Sequence, residues 1–385
     1  MISTLHSPRQ SVVLSIAIAA WNEEDAIGSM ITSLFRQSIF RQLAARGEGC
    51  EIICVANACT DRTVAVAQNT LEKMLAEHPE YEGLTARVFD IPEQGKNIAW
   101  NRFVHEFSAV ESRYMCFLDA DINLNQQDTL ATVMGALDRE PHLQGASDCP
   151  CKAIADRAHP SLRERLSLAG SDMTDTTEGR LNGMLYILRT NIARNLYLPR
   201  DVIALDDGFL KAAICTDFFR APVDLSKVVS VRGATHLYEP YLGLREFLNN
   251  QKRQMIGQTT VYVAVEYLKT LPESDRASLG ATLQRNDTCD PDWLRRLIDA
   301  HLAQTRFFWQ LFPGILSFRW RRLGKLRGIH RITHFPAATV GFVATLIACW
   351  RAWRFLRRGV SNYWPKAVRK QGESAANLQI GRAHV

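Results

Sequence analysis

Two carboxylates, Asp119 and Asp121, close the apolar run that starts at Tyr114. An acidic pair at the end of a buried strand is costly unless a cation meets it. If the strand continues through both, side chains two apart share a face and the two acids point the same way. Hard oxygen donors so arranged suit Mg2+ or Mn2+, ions that keep positions open for phosphate oxygens. Such an ion neutralises the charge that develops on a departing diphosphate. The plainer reading is a strand end whose Asp side chains cap the next turn. The pair alone does not separate these readings.

Other polar groups follow apolar runs in the same way. Trp21, Asn22 and Glu23 come after residues 12–20, and Asn57 and Asp61 after 51–56. Gly95 and Lys96 come after a third run, 86–91. Between the first two runs, Ile27, Met30, Ile31 and Leu34 mark one face of a helix. A helix is also expected over about 97–110. Strands alternating with helices predict an α/β fold: a mostly parallel sheet with helices on both faces. Ligands of such sheets bind beyond the carboxyl ends of the strands, where all these residues stand. Further on, a strand is expected over 184–188, and a helix follows the paired acids Asp206 and Asp207. Residues 228–240 read as a strand and a loop carrying His236, and 244–304 as amphipathic helix carrying Arg253.

The segments 16–37, 51–63, 95–104 and 117–124, in that order, resemble the family 2 glycosyltransferases, inverting enzymes of the GT-A fold. The Leu-Asp-Asp-Gly-Phe-Leu stretch at 205–210 resembles the family's later acidic motif, and the likeness spans roughly residues 11–260. It implies a donor site of Trp21, Asn22, Glu23, Asn57, Asp61, Lys96 and Asp119, with Arg253 toward the diphosphate. It implies a Mn2+ or Mg2+ site at Asp119 and Asp121, which a late histidine, here His236, completes in some members. Asp207 matches the general base that takes the acceptor hydroxyl's proton, and Asp206 stands where Glu is usual. A base is needed because a neutral hydroxyl is a poor nucleophile. Asn57 stands where the family usually has a base-reading Asp; an amide both donates and accepts. Ala58 and Cys59 stand where Gly or Ser is common. The Gln-x-x-Arg-Trp motif of processive members is absent, which points to single additions.

Beside those roles stand simpler ones. Lys96 reads equally as a solvated loop lysine, Trp21 as core, His236 as hydrogen-bonded only, and Asp206 as the cap of a helix starting near Gly208. Two other functions fit part of the pattern. A nucleotidyltransferase would need a Gly-rich basic loop after the first strand, where this chain has the acidic Asn22-Glu23-Glu24-Asp25. A membrane-docked binding module would keep the fold without turnover.

The chain has 385 residues and a formal charge of +6, unevenly spread. Residues 305–370 hold 14 Lys/Arg and no Asp or Glu, leaving 32 basic against 40 acidic residues elsewhere. Within that block, 332–350 runs 19 residues without a charged side chain. As a helix it would be about 28 Å long, close to the thickness of a bilayer core. Basic flanks and Trp-rich edges favour lying in the interface of an anionic membrane over crossing it. Nucleic acid is not expected as a partner. Nine irregularly spaced cysteines and no leader-like N-terminus suggest reduced thiols at the cytoplasmic face of the inner membrane. The expected organisation is a transferase domain over 1–243 and a helical extension over 244–304 completing the acceptor side. A membrane-associating region over 305–370 and a tail over 371–385 follow. The acceptor would be a lipid-linked or cell-envelope hydroxyl, chosen by loops such as 147–175. The last residues, Ile380 to Val385, resemble a translated sequencing adapter and are set apart from the fold.

Overall fold

The computed structural model describes residues 11–153, 179–202, 204, 206–239, 243–325 and 328–359. Most of the loop 147–175 and the tail 371–385 lie outside them. Nine strands are present among the described residues: β1 (Val12–Ala20), β2 (Gly49–Asn57), β3 (Leu84–Ile91), β4 (Tyr114–Asp119), β5 (Gly145–Ser147), β6 (Cys151–Lys152), β7 (Leu185–Arg189), β8 (Val228–Ser230) and β9 (Leu237–Tyr238). Seven of them form one sheet in the order β3-β2-β1-β4-β7-β5-β8, and β6 pairs with β9 apart from it. The β3-β2-β1-β4 half is parallel. β7 enters antiparallel to both β4 and β5. From β1 the chain builds outward to β3, then returns to place β4 on the other side of β1. That reversal opens a crevice past the carboxyl ends of β1 and β4.

Helices α1 (Ile27–Phe35), α2 (Ile39–Ala45), α3 (Thr63–Glu77) and α5 (Thr129–Arg139) cover one face. The anticipated stripe of α1 is there: Ile27, Met30, Ile31 and Leu34 are fully buried. The other face packs against α4 (Lys96–Arg102), α6 (Thr190–Arg194), α7 (Asp206–Cys215) and α8 (Leu244–Thr270). Beyond the short α9 (Glu273–Ala277), α10 (Leu279–Cys289) and α11 (Trp293–Gln304) join the same core. So does α13 (Ile329–Leu356), which follows α12 (Phe318–Lys325). The helix expected over 97–110 is α4 followed by a π turn, Phe103–Phe107. β4 stops at Asp119 and the chain turns at once. Strand alternation therefore does not extend to Asp121, and the shared-face argument for the acidic pair fails. All nine cysteines are free thiols.

Candidate active site

The two turns past β1 and β2 are laced together by short bonds. The Asn22 carboxamide oxygen accepts from the Thr60 amide at 2.7 Å. The Glu23 amide donates to Thr63 Oγ1 at 2.7 Å. Asp61 accepts from the Glu24 amide at 3.2 Å and from the Thr63 amide at 3.0 Å. Glu24 in turn accepts from the Arg62 amide at 3.1 Å and Nε at 3.2 Å. Asp61 thus holds the two turns in register. Asn22 and Ala58 sit at φ 54° and 51°, the left-handed region. Asn tolerates it; Ala there is strained. Trp21 is half-buried and belongs to neither core, so the core reading of it is set aside.

Asn57 is fully buried, and its amide nitrogen donates to the Glu93 carbonyl at 2.7 Å and the Gly95 carbonyl at 3.2 Å. Its donor half is committed to the loop before α4. Its carbonyl oxygen has no partner. Only the accepting half is therefore left for a base edge.

Gly95, at φ 147°, lets the chain turn sharply into α4, whose first residue is Lys96. The Lys96 ammonium lies 2.8 Å from Asp119 Oδ1 and 3.5 Å from Asp206 Oδ2, and donates to the Gly183 carbonyl at 3.2 Å. Burial lowers its pKa, but the Asp119 and Asp206 carboxylates outweigh that and hold it above the usual lysine range. The loop-lysine reading fails. Asp119 is pushed up by burial despite the opposing pull of Lys96. The cation that meets the acidic strand end is thus partly the protein's own.

Asp206 and Asp207 form the first turn of α7, where the helix dipole favours negative charge. The helix begins at Asp206, two residues earlier than the capping alternative needs. Asp207 Oδ1 accepts from the Gly208 amide at 2.8 Å. Burial, then the Asp206 charge, push Asp207 up to about 6. Gly183 sits against it: a Cβ there would come within 3.1 Å of Asp207 Cγ. Its missing side chain makes room for Asp207 while its carbonyl holds Lys96. Beneath them Phe117 stacks on Tyr186 at 4.8 Å, and Trp100 Nε1 donates to the Tyr186 hydroxyl at 3.0 Å. Burial keeps the Tyr186 phenol protonated well above its ordinary range. Ala17, Val55, Lys96, Trp100, Asp119 and Tyr186 line a pocket at this point.

α8 brings Arg253 close enough for its charge to press on Lys96. Its Nε is buried without a hydrogen-bond partner. His236 is fully buried and its Nδ1 lies 2.6 Å from Asp148 Oδ2, also fully buried. Asp148 Oδ1 accepts from the Asn182 amide nitrogen at 3.3 Å. His236 Nε2 has no partner. The loop after Asp121 is stitched beside it: Asn123 and Leu237 exchange backbone hydrogen bonds of 2.9 and 2.8 Å. No three acidic, Cys or His side chains among the described residues form a metal cage by themselves. Asp121 and His236 carry donor types that suit Mg2+ or Mn2+, and the Asn123–Leu237 pairing ties their loops together. A carboxylate on Nδ1 is also how metal-ligating histidines are held.

Of the residues singled out in the sequence, Lys96, Asp119, Asp206, Asp207 and Arg253 come together directly. Asn22, Glu23 and Asp61 form the adjoining turns. Gly183, Tyr186 and Asp148 carry no site role in the sequence, and Glu24 reads there only as part of an acidic loop. Only Gly183 carried a signal, the Asn-Gly pair just before a strand-like run.

With that arrangement in place, the profile of "Glycosyl transferase family 2" matches residues 15–208, half of the chain. The chain belongs to this family. It is a glycosyltransferase, and the nucleotidyltransferase alternative falls. The family 2 match ends just past the Asp206-Asp207 pair, so it takes in both acidic motifs. A search of curated proteins by sequence returned no significant match. Among solved structures, the chain is similar to S. aureus TarS 1–349, at 14% identity over 92% of this chain and 93% of that one, TM-score 0.43. It is also similar to glucosyl-3-phosphoglycerate synthase from Mycobacterium tuberculosis, solved with Mn2+, UDP-glucose and phosphoglyceric acid. That match has 16% identity over 68% of this chain and 82% of that one, TM-score 0.41.

Proposed function

We propose that this family 2 member is a metal-dependent, inverting, single-addition glycosyltransferase. It moves a sugar from a nucleoside diphosphate to a hydroxyl of a lipid-linked or envelope acceptor at the cytoplasmic membrane face. The observation that carries the reading is Lys96, bonded at once to Asp119 of the donor motif and Asp206 of the acceptor motif. It fixes the donor end and the base end of the site to each other.

In this reading the turns at Trp21–Glu23 and Asn57–Asp61 hold the nucleoside. Arg253 and Lys96 face the diphosphate. The acceptor oxygen attacks the anomeric carbon as Asp207 takes its proton. The carbon–oxygen bond to the diphosphate breaks on the opposite face, which inverts the configuration. Asp207's raised pKa makes it a better base than an ordinary carboxylate while it stays ionised near neutrality. A Mn2+ or Mg2+ would be held by Asp121 and His236, with Asp119 beside them, and would neutralise the charge on the leaving diphosphate. The domain organisation proposed with this function is a transferase body over 1–243, an acceptor-side extension over 244–304 and a membrane-facing region over 305–370.

The test is a thermal shift with UDP or GDP and Mn2+, alongside hydrolysis of a panel of nucleotide sugars. A metal-dependent response that Asp121→Ala abolishes is expected. No response in wild type, or an unaltered one in the variant, would overturn the assignment.

A further inference from the structure

Helix α13 has two unlike long faces. Ala338, Thr345, Ala348, Cys349, Ala352 and Leu356 are buried. That face is pinned to the body: Arg351 donates to the Asn249 side chain at 2.6 Å, and Arg295 donates to the Leu356 carbonyl at 2.7 Å. The opposite face carries Phe335, Val340, Val343, Ile347 and Trp350, between 41% and 70% exposed. From Val340 to Trp350 their spacing of three, four and three residues keeps them on one line. That stripe is about 15 Å long, at 1.5 Å per residue. Exposed arginines bracket it, Arg331 before and Arg354 and Arg358 after. Arg354 lies over the Trp350 ring at 4.8 Å. A soluble surface rarely leaves so continuous an apolar line uncovered.

α13 is long and apolar enough to cross a bilayer by composition alone. Its packing argues against crossing. It lies along α8, which carries Arg245, Glu246, Lys252, Arg253, Glu266 and Lys269. At hydrocarbon depth those charges would have to enter with it, and only Glu266 and Lys269 among them pair with each other. A helix with one face fixed to the body, an apolar line on the other and cations at both ends suits the plane of a membrane surface.

We infer that α13 docks flat on an anionic bilayer, with Val340, Val343, Ile347 and Trp350 in the acyl boundary and Arg331, Arg354 and Arg358 on acidic headgroups. The occupant of this face is lipid, because the surrounding residues 305–370 carry 14 cations and no carboxylate to meet one. The inference deepens the proposed membrane location and is independent of the transfer chemistry.

The test is flotation of the full chain with vesicles of phosphatidylcholine alone or mixed with phosphatidylglycerol. Binding to the anionic vesicles only is expected, reversed by ~0.5 M salt and by alkaline carbonate. The exposed double variant Val343→Glu/Ile347→Glu should bind about tenfold more weakly. Brominated lipid should quench wild-type tryptophan fluorescence, and Trp350→Phe should lose that quenching. Three outcomes overturn the inference: equal binding of the double variant, resistance to carbonate, or a wild-type dimer that the variant converts to monomer while vesicle binding is unchanged. Donor hydrolysis is measured on the same preparations. A wild-type chain that turns over donor but does not bind anionic vesicles sinks this inference alone, and one that binds vesicles without turnover sinks only the enzymatic reading.

Discussion

The two nucleotide-side turns and the acid–base cluster differ in how their polar groups are satisfied. In the turns, the side chains of Asn22, Glu24, Asp61 and Thr63 accept from the backbone amides of Thr60, Arg62, Glu24 and Glu23. In and around the cluster, Arg253 Nε, His236 Nε2 and Asn57 Oδ1 are buried without hydrogen-bond partners, and Asp206 Oδ2 has only the Lys96 ammonium at 3.5 Å. A buried polar group left unpaired costs roughly 1–3 kcal/mol. Such costs persist where something outside the chain completes the bonding. The turns are therefore preformed, and in the proposed mechanism the open valences are the ones that substrate and ion would complete.

That contrast can be broken at its strongest point first. Asp148 touches no proposed substrate, yet it sets which His236 nitrogen carries the proton. Asp148→Asn should weaken Mn2+ binding about 10–100-fold, read by titrating the ion's paramagnetic resonance signal in the presence of UDP. Unchanged affinity with a folded variant would remove His236 from the metal site. Next is the acidic pair. Asp207 works as a base only when ionised, so donor turnover should fall below about pH 6. The Asp206 charge helps raise that value, so Asp206→Asn should move the acid limb to lower pH. A limb that stays in place or moves upward would contradict the coupling. The smallest effect lies in the preformed turns. Ala58→Gly relieves a left-handed alanine, and thermal unfolding should show a net gain of about 0.5 kcal/mol with turnover unchanged.

The parallel half of the sheet could be read from the chain because each apolar run ends abruptly in turn-forming polar residues, as at Trp21-Asn22 and Asn57-Ala58. β4 reads from the sequence as a strand, and of the two readings of its end the structure has the turn straight after Asp119. Asp148, Gly183 and Tyr186 escaped the sequence reading. They reach the site through β5 and through β7, which runs antiparallel between β4 and β5. That pairing depends on contacts between segments far apart in sequence. The stripe on α13 was visible as an uncharged run, but which face is bare depends on its packing against α8 and α11.

In the proposed mechanism Asp207 carries the proton transfer and takes no part in holding the donor. Asp207→Asn keeps the shape of the side chain and removes its basicity. Binding of the nucleotide sugar with Mn2+, measured by calorimetry, should be unchanged and turnover about 10²–10⁴-fold lower. Turnover equal to wild type, or an equal absence of turnover in both proteins with donor bound, would contradict it and leave the chain a binding module.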